Sequence, residues 1–200
     1  MDIVCLDLEG VLVPEIWIEF ANKTGIKEFT ITTRDEPDYD KLMHYRMDLL
    51  DKHNLGIHEI TEVIKSIEPL IGAHEFLDKL RERAQVLIIS DTFDQFGRPL
   101  MRKLSWPSLF CNSLFTDESG HVTGYKLRCP HTKLTTVRAL QSCGFDTICA
   151  GDSYNDLEMI RASKAGFLFR STPEIKRANP DIPAFENYDE FLKGIFNALG

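Results

Sequence analysis

The chain opens with MDIVCLDLEG at residues 1–10, where the apolar run Ile3–Leu6 ends at Asp7. A continuous apolar run of this length is typical of a strand in a parallel sheet that is covered on both faces. Three similar runs follow: Gln85–Ile89 before Ser90, Thr147–Ala150 before Gly151 and Asp152, and Gly166–Phe169 before Arg170. Because helical patterns separate these runs, the sequence predicts βαβ units and an α/β fold with a doubly wound parallel sheet.

Amphipathic patterns predict the helices that flank this sheet. They are Glu75–Arg83, Leu134–Cys143, Leu157–Ala165 and Tyr188–Leu199. The turn-rich residues 117–120 separate Leu114–Thr116 from His121–Tyr125, which predicts a small antiparallel hairpin beside the sheet.

The segment from residue 14 to residue 72 offers helices and no convincing pair of strands. The predicted helices are Glu15–Lys23, Tyr39–Asp51 and Ile57–Ile67, with a loop at residues 35–38. A βαβ crossover needs only one helix, so about 55 residues exceed what the connection requires. The sequence therefore predicts a helical cap at residues 14–72, inserted after the first strand, and a core formed by residues 1–13 and 73–200.

Composition and charge narrow the class of protein. The 200 residues are 43% hydrophobic and 27% charged, as is ordinary for a globular chain. Their formal net charge of −8 argues against a nucleic-acid-binding protein, because phosphate backbones require clustered basic side chains. No apolar run approaches the roughly 20 residues of a membrane span, and the N-terminus does not resemble a signal peptide. We expect a cytoplasmic monomer or homodimer that binds neither nucleic acid nor membrane.

Polar side chains close three of the predicted strands. Asp7 follows the first strand, Ser90 the second and Asp152 the third, while Lys133 begins a predicted helix. Ligands of an open parallel sheet bind at the carboxyl ends of its strands, so these side chains are expected to meet there. They fit phosphoryl transfer, since a carboxylate such as Asp7 is able to act as the nucleophile and form an aspartyl-phosphate.

The same residues supply the charges and protons that this reaction needs. Asp7 and Asp152 are hard oxygen ligands suited to Mg²⁺. Glu9 is predicted to protonate the leaving alkoxide and then to deprotonate the attacking water. Ser90 and Lys133 suit the phosphate oxygens, one as a hydroxyl donor and the other as a fixed positive charge. The residues alone therefore predict Mg²⁺-dependent phosphoryl transfer.

Four motifs in this order resemble those of the haloacid dehalogenase (HAD) superfamily of phosphatases. They are Asp7-Leu8-Glu9-Gly10-Val11, Ser90, Lys133 and Gly151-Asp152-Ser153-Tyr154-Asn155-Asp156. The resemblance implies a Rossmann-like core, and the helical insertion resembles the small cap of the phosphoserine phosphatase branch. It implies a metal site formed by Asp7, Asp152 and the backbone carbonyl of Glu9. We expect Asp156 to support this site rather than to bind the metal.

The resemblance also implies how a substrate is held. In the phosphoserine phosphatase branch, a Glu after the first motif and an Arg of the cap bind the amino and carboxyl groups of phosphoserine. By position these map onto Glu15 and Arg46, and the Asn of the last motif maps onto Asn155. Two alternatives stay open: Glu15 caps the first cap helix, and Arg46 is a surface residue paired with a neighbouring carboxylate, Glu19 or Asp48.

Two positions depart from the usual pattern of the superfamily. Its general acid is usually Asp where this chain has Glu9, and its second motif usually has Gly where this chain has Asp91. Both departures resemble bacterial enzymes of this branch that hydrolyse phosphoserine and also transfer its phosphoryl group to homoserine, in serine and threonine biosynthesis. This implies that phosphate passes from phosphoserine to Asp7 and then to water or homoserine, with Asp91 as a further substrate contact.

Two other functions stay open at this point. One is a phosphatase of another small phosphomonoester. The other is a signalling module, in which an Asp at a strand end is phosphorylated and recognised by a partner. Signalling receivers lack an inserted cap and need no acid such as Glu9, so the cap and Glu9 favour the enzyme.

Overall fold

A seven-stranded sheet forms the centre of the molecule. The computed structural model describes residues 1–33, 35–36 and 38–200. The strands are β1 (Asp2–Leu6), β2 (Gln85–Phe93), β3 (Ser108–Thr116), β4 (Val122–Lys126), β5 (Asp146–Gly151), β6 (Ala165–Phe169) and β7 (Ala184–Phe185). Their order is β4-β3-β2-β1-β5-β6-β7. β3 and β4 pair antiparallel and the other neighbours pair parallel, which confirms the predicted α/β fold.

Helices cover both faces of this sheet. In the described part of the chain the α-helices are α1 (Ile16–Thr24), α2 (Tyr39–Lys52), α3 (Ile57–Ser66), α4 (Ala73–Arg81), α5 (Asp94–Lys103), α6 (Thr132–Ser142), α7 (Leu157–Ala162), α8 (Pro173–Ala178) and α9 (Tyr188–Ala198). Short 3₁₀ helices occur at Lys27–Thr30 and Tyr154–Asp156. Across the residues described, no helix is both long enough and apolar enough to cross a membrane.

β1 lies in the middle of the sheet because it is apolar on both faces. Ile3 and Cys5 pack in a cluster with residues of α6, α7 and α8, whereas Val4 and Leu6 pack in the larger cluster on the opposite face. Since β1 pairs with both β2 and β5, the residue that follows it lies between two neighbouring strand ends. That residue is Asp7, whose N–H donates to the carbonyl of Ala150 at 3.0 Å.

The cap helices α1, α2 and α3 lie between β1 and α4 in the chain, as predicted for an insertion after the first strand. Their apolar side chains belong to the larger cluster of the sheet. The ring of Trp17 lies 5.7 Å from that of Phe29 and 5.8 Å from that of Phe96 in α5. Ile64 of α3 is completely buried in the same cluster. The division into a cap of residues 14–72 and a core therefore stays a prediction, because the apolar interior is continuous across it.

The structure differs from the sequence prediction at two element ends. β3 begins at Ser108 rather than at Leu114, since its first residues alternate between exposed and partly buried positions and form no apolar run. Ala165 begins β6 and is not the end of a helix, because α7 stops at Ala162. The loop predicted at residues 35–38 includes Pro37, which lies outside the described residues.

Candidate active site

Four charged side chains meet at the carboxyl ends of β1 and β5. The Nζ atom of Lys133 lies 3.0 Å from Asp7 Oδ1 and 2.6 Å from Asp156 Oδ1. Asp7, Asp152 and Asp156 each contribute a carboxylate oxygen to a cluster whose atoms all lie within 4.8 Å of one another. All four side chains are buried. Among these four side chains, three are carboxylates and one is an ammonium group.

Burial and the neighbouring charges shift the pKa values of this cluster. Burial raises the pKa of Asp7 well above its ordinary value, and repulsion by Asp156 and Asp152 adds to that effect although Lys133 opposes it. Burial disfavours the charged form of Lys133, yet attraction by Asp156 and Asp7 outweighs it and holds the pKa of Lys133 above its ordinary range. Three buried carboxylates that bring their oxygens within 4.8 Å of one another are a donor set that fits a hard divalent cation.

Asp156 holds the loop after β5 against Lys133. Its Oδ2 accepts hydrogen bonds from the backbone N–H groups of Asp152 and Ser153, both at 3.0 Å, while Oδ1 accepts from Lys133. Gly151 makes room for this side chain, since a Cβ atom there would lie 2.1 Å from Asp156 Cγ. Both carboxylate oxygens are therefore already engaged in fixing the loop.

The loop after β1 reaches Asp152 through a glycine. Gly10 has a φ of +74°, and a Cβ atom at this position would lie 2.5 Å from Asp152 Oδ2. Both the left-handed backbone and the lack of space favour glycine here. The carbonyl of Asp152 accepts a hydrogen bond from Ser171 Oγ at 2.5 Å, which fixes the loop from the far side.

Glu9 lies at the N-terminus of α1. Its Oε2 accepts a hydrogen bond from the N–H of Ile16 at 2.8 Å, one of the donors that a helix start leaves unpaired. Burial, and then repulsion by Glu15, raise the pKa of Glu9 to about 8. Glu9 is therefore mostly protonated at neutral pH. Glu15 occupies the N-cap position of α1, but its side chain makes no capping hydrogen bond.

Arg46 is buried in the cap, so the alternative of a surface arginine is wrong. Its guanidinium carbon lies 4.6 Å from the centre of the Trp17 ring, and Nη2 donates to the carbonyl of Ile31 at 3.0 Å. The Nε atom is a buried donor that has no hydrogen-bond partner among the residues that the structure describes. Burial lowers the pKa of Arg46 to about 10, which still leaves the side chain charged at neutral pH.

Asp91 and Asn155 face each other beside this cluster. The Nδ2 of Asn155 donates to Asp91 Oδ2 at 2.9 Å, and the hydroxyl of Thr132 donates to Asp91 Oδ1. Ser90 lies within β2 rather than after it, because the strand continues to Phe93. Its Oγ accepts a hydrogen bond from the N–H of Thr92 at 3.2 Å.

All the predicted site residues line one cavity of about 70 Å³, here called the inner cavity: Asp7, Glu9, Glu15, Arg46, Ser90, Asp91, Lys133, Asp152 and Asn155. A second cavity of about 370 Å³, the outer cavity, is lined by Leu127, His131, Leu134, Tyr154 and Glu158 together with residues of the inner one. The side chains that line both are Thr33, Tyr39, Asp91, Lys133 and Asn155. The structure thus brings the whole predicted set together.

A comparison with protein families agrees with this geometry. The model of the haloacid dehalogenase-like hydrolases matches residues 1–164, which include β1, the cap helices and the loop after β5. The chain belongs to the haloacid dehalogenase-like hydrolase family. The resemblance drawn from the four sequence motifs is thereby confirmed.

This haloacid dehalogenase-like hydrolase is similar to curated proteins along nearly its whole length. It is 51% identical over 203 residues to Phosphoserine phosphatase ThrH of Pseudomonas aeruginosa, covering 100% of this chain and 99% of that one. It is 50% identical over 198 residues to Phosphoserine phosphatase of Pseudomonas syringae pv. tomato, covering 99% and 84%. A crystal structure of a phosphoserine phosphatase in apo form superposes with a TM-score of 0.78 at 24% identity over 96% of this chain and 98% of that one, which shows the shared fold.

Two residues at the site of this haloacid dehalogenase-like hydrolase were missed by the sequence prediction. The hydroxyl of Tyr39 donates to the carbonyl of Asp91 at 3.0 Å, and Thr132 donates to its carboxylate. The signal available for Thr132 is its place directly before Lys133 at the start of α6. Tyr39 has no such signal, because an aromatic residue at the start of an amphipathic helix ordinarily indicates packing.

Proposed function

We propose that this hydrolase is a phosphoserine phosphatase that acts through an aspartyl-phosphate on Asp7. One observation carries the proposal. Asp7 and Lys133, whose Oδ1 and Nζ atoms lie 3.0 Å apart, line the same cavity as the carboxylate of Glu15 and the guanidinium of Arg46. The first pair suits a phosphate group and the second pair suits an amino acid. Two relatives that are about half identical to this chain bear the name phosphoserine phosphatase. One solved neighbour is described as a phospho-aspartyl intermediate analogue of phosphoserine phosphatase.

In the first step, a carboxylate oxygen of Asp7 attacks the phosphorus atom. The bond between phosphorus and the serine oxygen breaks, and Glu9 donates its proton to that oxygen so that neutral serine hydroxyl leaves. The ammonium group of Lys133 and the hydroxyl of Ser90 hold the phosphate oxygens while charge develops on them. The backbone N–H of Leu8, which donates to Asp7 Oδ1 at 2.7 Å, helps to fix the nucleophile.

In the second step, water attacks the phosphorus atom of the aspartyl-phosphate. Glu9, now a carboxylate, takes a proton from that water, and the bond between phosphorus and the Asp7 oxygen breaks. Inorganic phosphate leaves and both side chains return to their starting forms. A pKa of about 8 suits these two roles, because the protonated and ionised forms of Glu9 then interconvert near neutral pH.

We further propose that Asp7, Asp152 and the backbone carbonyl of Glu9 hold Mg²⁺. The buried carboxylates of Asp7 and Asp152, whose oxygens lie within 4.8 Å of each other, support this assignment. When bound, the ion would offset the negative charges of the phosphate and of Asp7, so that the two are able to approach. Asp156 is left out of the set because both of its oxygens are engaged in fixing Lys133 and the loop after β5.

The amino-acid part of the substrate is proposed to lie against the cap. Arg46 would pair with the carboxylate of phosphoserine, and its unpartnered Nε is a donor available for that purpose. Glu15 would pair with the ammonium group. Asn155 and Asp91, which line the same cavity, would contact the remainder of the substrate.

The same aspartyl-phosphate would pass its phosphoryl group to homoserine. Homoserine carries the ammonium and carboxylate groups of serine, so Glu15 and Arg46 suit both molecules. In this transfer the homoserine hydroxyl replaces water as the attacking group, and Glu9 takes the hydroxyl proton.

Product analysis tests the proposal directly. The protein is incubated with phosphoserine and Mg²⁺, with and without homoserine, and serine, inorganic phosphate and phosphohomoserine are quantified. We expect serine and phosphate in the first reaction and phosphohomoserine in addition in the second. The Asp7→Asn variant should release neither product from phosphoserine while remaining folded by circular dichroism. If serine and inorganic phosphate form at high homoserine concentration but phosphohomoserine does not, the proposed transfer is contradicted. Turnover of other phosphomonoesters but not of phosphoserine would contradict the substrate.

A further inference from the structure

The carboxylate of Asp91 joins two elements across the boundary between the inner and outer cavities. Its Oδ1 accepts from the hydroxyl of Thr132, at the start of α6, and its Oδ2 accepts from Asn155, in the loop after β5, at 2.9 Å. Asp91 and Asn155 line both cavities. The bridge formed by these three side chains is therefore part of the wall between the cavities.

The backbone of Asp91 is held as firmly as its side chain. Its carbonyl accepts hydrogen bonds from the hydroxyl of Tyr39 in the cap at 3.0 Å and from Nδ2 of Asn112 in β3 at 3.1 Å. Four hydrogen bonds from four separate segments thus fix one residue. The bonds from Thr132, Tyr39 and Asn112 are partly buried, so moving the residue as a whole would leave those donors unpaired away from water, whereas the bond from Asn155 is exposed.

The two cavities differ in what they are able to accept. The inner cavity contains the charged groups proposed to hold the phosphate and the amino acid. The outer cavity is larger and presents Leu127, Leu134 and Tyr154, side chains that suit an aryl or alkyl group. A bulky leaving group that extends from a phosphate at Asp7 into the outer cavity would pass the residues that line both cavities, which include Asp91 and Asn155.

We propose that Asp91 limits the size of the leaving group. In addition to its proposed contact with the substrate, Asp91 positions Asn155 and Thr132, and the closed bridge confines the leaving group to the inner cavity. Aryl and long-chain alkyl phosphomonoesters would be excluded, although the outer cavity has room for their apolar parts. This inference rests on the proposed function, since it assumes that phosphomonoesters are hydrolysed at Asp7.

The test compares kcat/KM for p-nitrophenyl phosphate with kcat/KM for phosphoserine. In Asp91→Ala the bridge is lost, and we expect the ratio of the two values to rise by about tenfold or more over wild type. The ratio does not depend on the fraction of active protein, so a variant that is only destabilised leaves it unchanged. Loss of the negative charge does not cancel in the ratio, because phosphoserine carries an ammonium group that p-nitrophenyl phosphate lacks, and it therefore needs a control variant of its own.

Two further variants separate the bridge from the charge. Asp91→Asn keeps the side-chain size and one acceptor oxygen, so its ratio should stay within about threefold of wild type. Asp94→Asn removes an exposed carboxylate that pairs with Arg98 on the surface of α5, and its ratio should not change. An unchanged ratio in Asp91→Ala, or an equal rise in Asp91→Asn, would overturn the inference.

The proposed function fails in a different way. If wild-type protein does not hydrolyse phosphoserine but hydrolyses phosphoethanolamine, the substrate assignment is wrong. In that case the ratio of kcat/KM for p-nitrophenyl phosphate to kcat/KM for phosphoethanolamine is measured instead. The results expected for Asp91→Ala and Asp91→Asn stay the same. If wild-type protein hydrolyses none of the three esters, both the proposed function and the role of Asp91 are overturned.

Discussion

The carboxyl group of Glu9 links stability to pH. Its pKa rises on folding from an ordinary value of 4.5 to about 8, so the folded chain holds a proton that the unfolded chain releases. The free energy of unfolding should therefore fall as the pH rises from about 5 to 8, by as much as about 1.4 kcal/mol per pH unit. Glu9→Gln removes the titrating group, and its side-chain amide oxygen is still able to accept the hydrogen bond from the N–H of Ile16.

Urea denaturation in EDTA at several pH values between 5 and 8 measures this effect. The free energy of unfolding of wild type should decline relative to that of Glu9→Gln as the pH rises. The exposed Glu28 offers the matched control, because Glu28→Gln should follow wild type throughout. Parallel curves for wild type and Glu9→Gln would show that folding does not perturb this carboxyl group.

Arg46 should govern recognition of the substrate carboxylate. Arg46→Met keeps the length of the apolar stem over Trp17 but removes the charged fork. We expect KM for phosphoserine to rise by about 10- to 100-fold, which corresponds to the loss of charge-assisted hydrogen bonds. Phosphoethanolamine lacks the carboxylate, and its KM should change little. Similar increases in steady-state KM for both substrates would assign Arg46 to the cap structure instead.

At the scale of elements, α3 is fixed at both ends. Its first N–H, on Ile57, donates to the carbonyl of Gly120 in the turn between β3 and β4 at 2.9 Å. At the other end, Nζ of Lys103 in α5 donates to the carbonyls of Lys65 and Ile67 at 2.9 and 2.7 Å. These carbonyls are among those that a helix end leaves unpaired. The cap is thus attached to the core by hydrogen bonds as well as by its apolar face.

Removal of one attachment should cost measurable stability. In Lys103→Met the carbonyls at the end of α3 lose a charged donor, and we expect the free energy of unfolding to fall by about 1–2 kcal/mol. Arg98→Met in the same helix breaks only an exposed pair with Asp94 and should cost about 0.5 kcal/mol or less. Urea denaturation of both variants measures the difference, and equal losses would mean that Lys103 makes no special contribution.

The sequence predicts the strands that are covered by helices on both faces. β1, β2, β5 and β6 have helices on both faces, so their buried residues form continuous runs. The start of β3 lies toward the edge of the sheet, and its alternating exposure hides it. The sequence does not predict α5, because Gly97 and Pro99 are rare inside helices and obscure its amphipathic pattern.

The same distinction applies to the candidate site. Asp7 and Asp152 are predictable because strand ends fix their positions. The contacts of Asp91 are not, since Thr132 and Tyr39 lie 41 and 52 residues away along the chain. They reach Asp91 only through tertiary packing, which no local pattern encodes.

At the scale of the whole molecule, the proposed Mg²⁺ ligands lie far apart in the sequence, at residues 7, 9 and 152. Binding of Mg²⁺ should therefore stabilise the entire fold, since the unfolded chain has no such site. At a concentration about 100 times Kd, the expected gain is about 2.7 kcal/mol. EDTA should reverse it, and thermal unfolding with and without Mg²⁺ measures it. Asp152→Asn should lose most of the gain, whereas Asp146→Asn, exposed at the other end of β5, should keep it. An equal gain in Asp152→Asn would contradict the assignment.

The central position of β1 has a consequence for biosynthesis. β1 is synthesised before the other strands of its sheet, but its neighbours in the sheet are residues 85–88 and 146–150. The edge of β1 that pairs with β5 therefore stays without its partner until residues 146–150 have been made. During that time β1 has apolar side chains on both faces. Partners so distant in sequence also make folding slow. Nascent chains that stall before residue 146 would expose this edge, and such edges are prone to aggregate. A molecular chaperone that covers β1 would therefore be required most during the synthesis of the residues before 146.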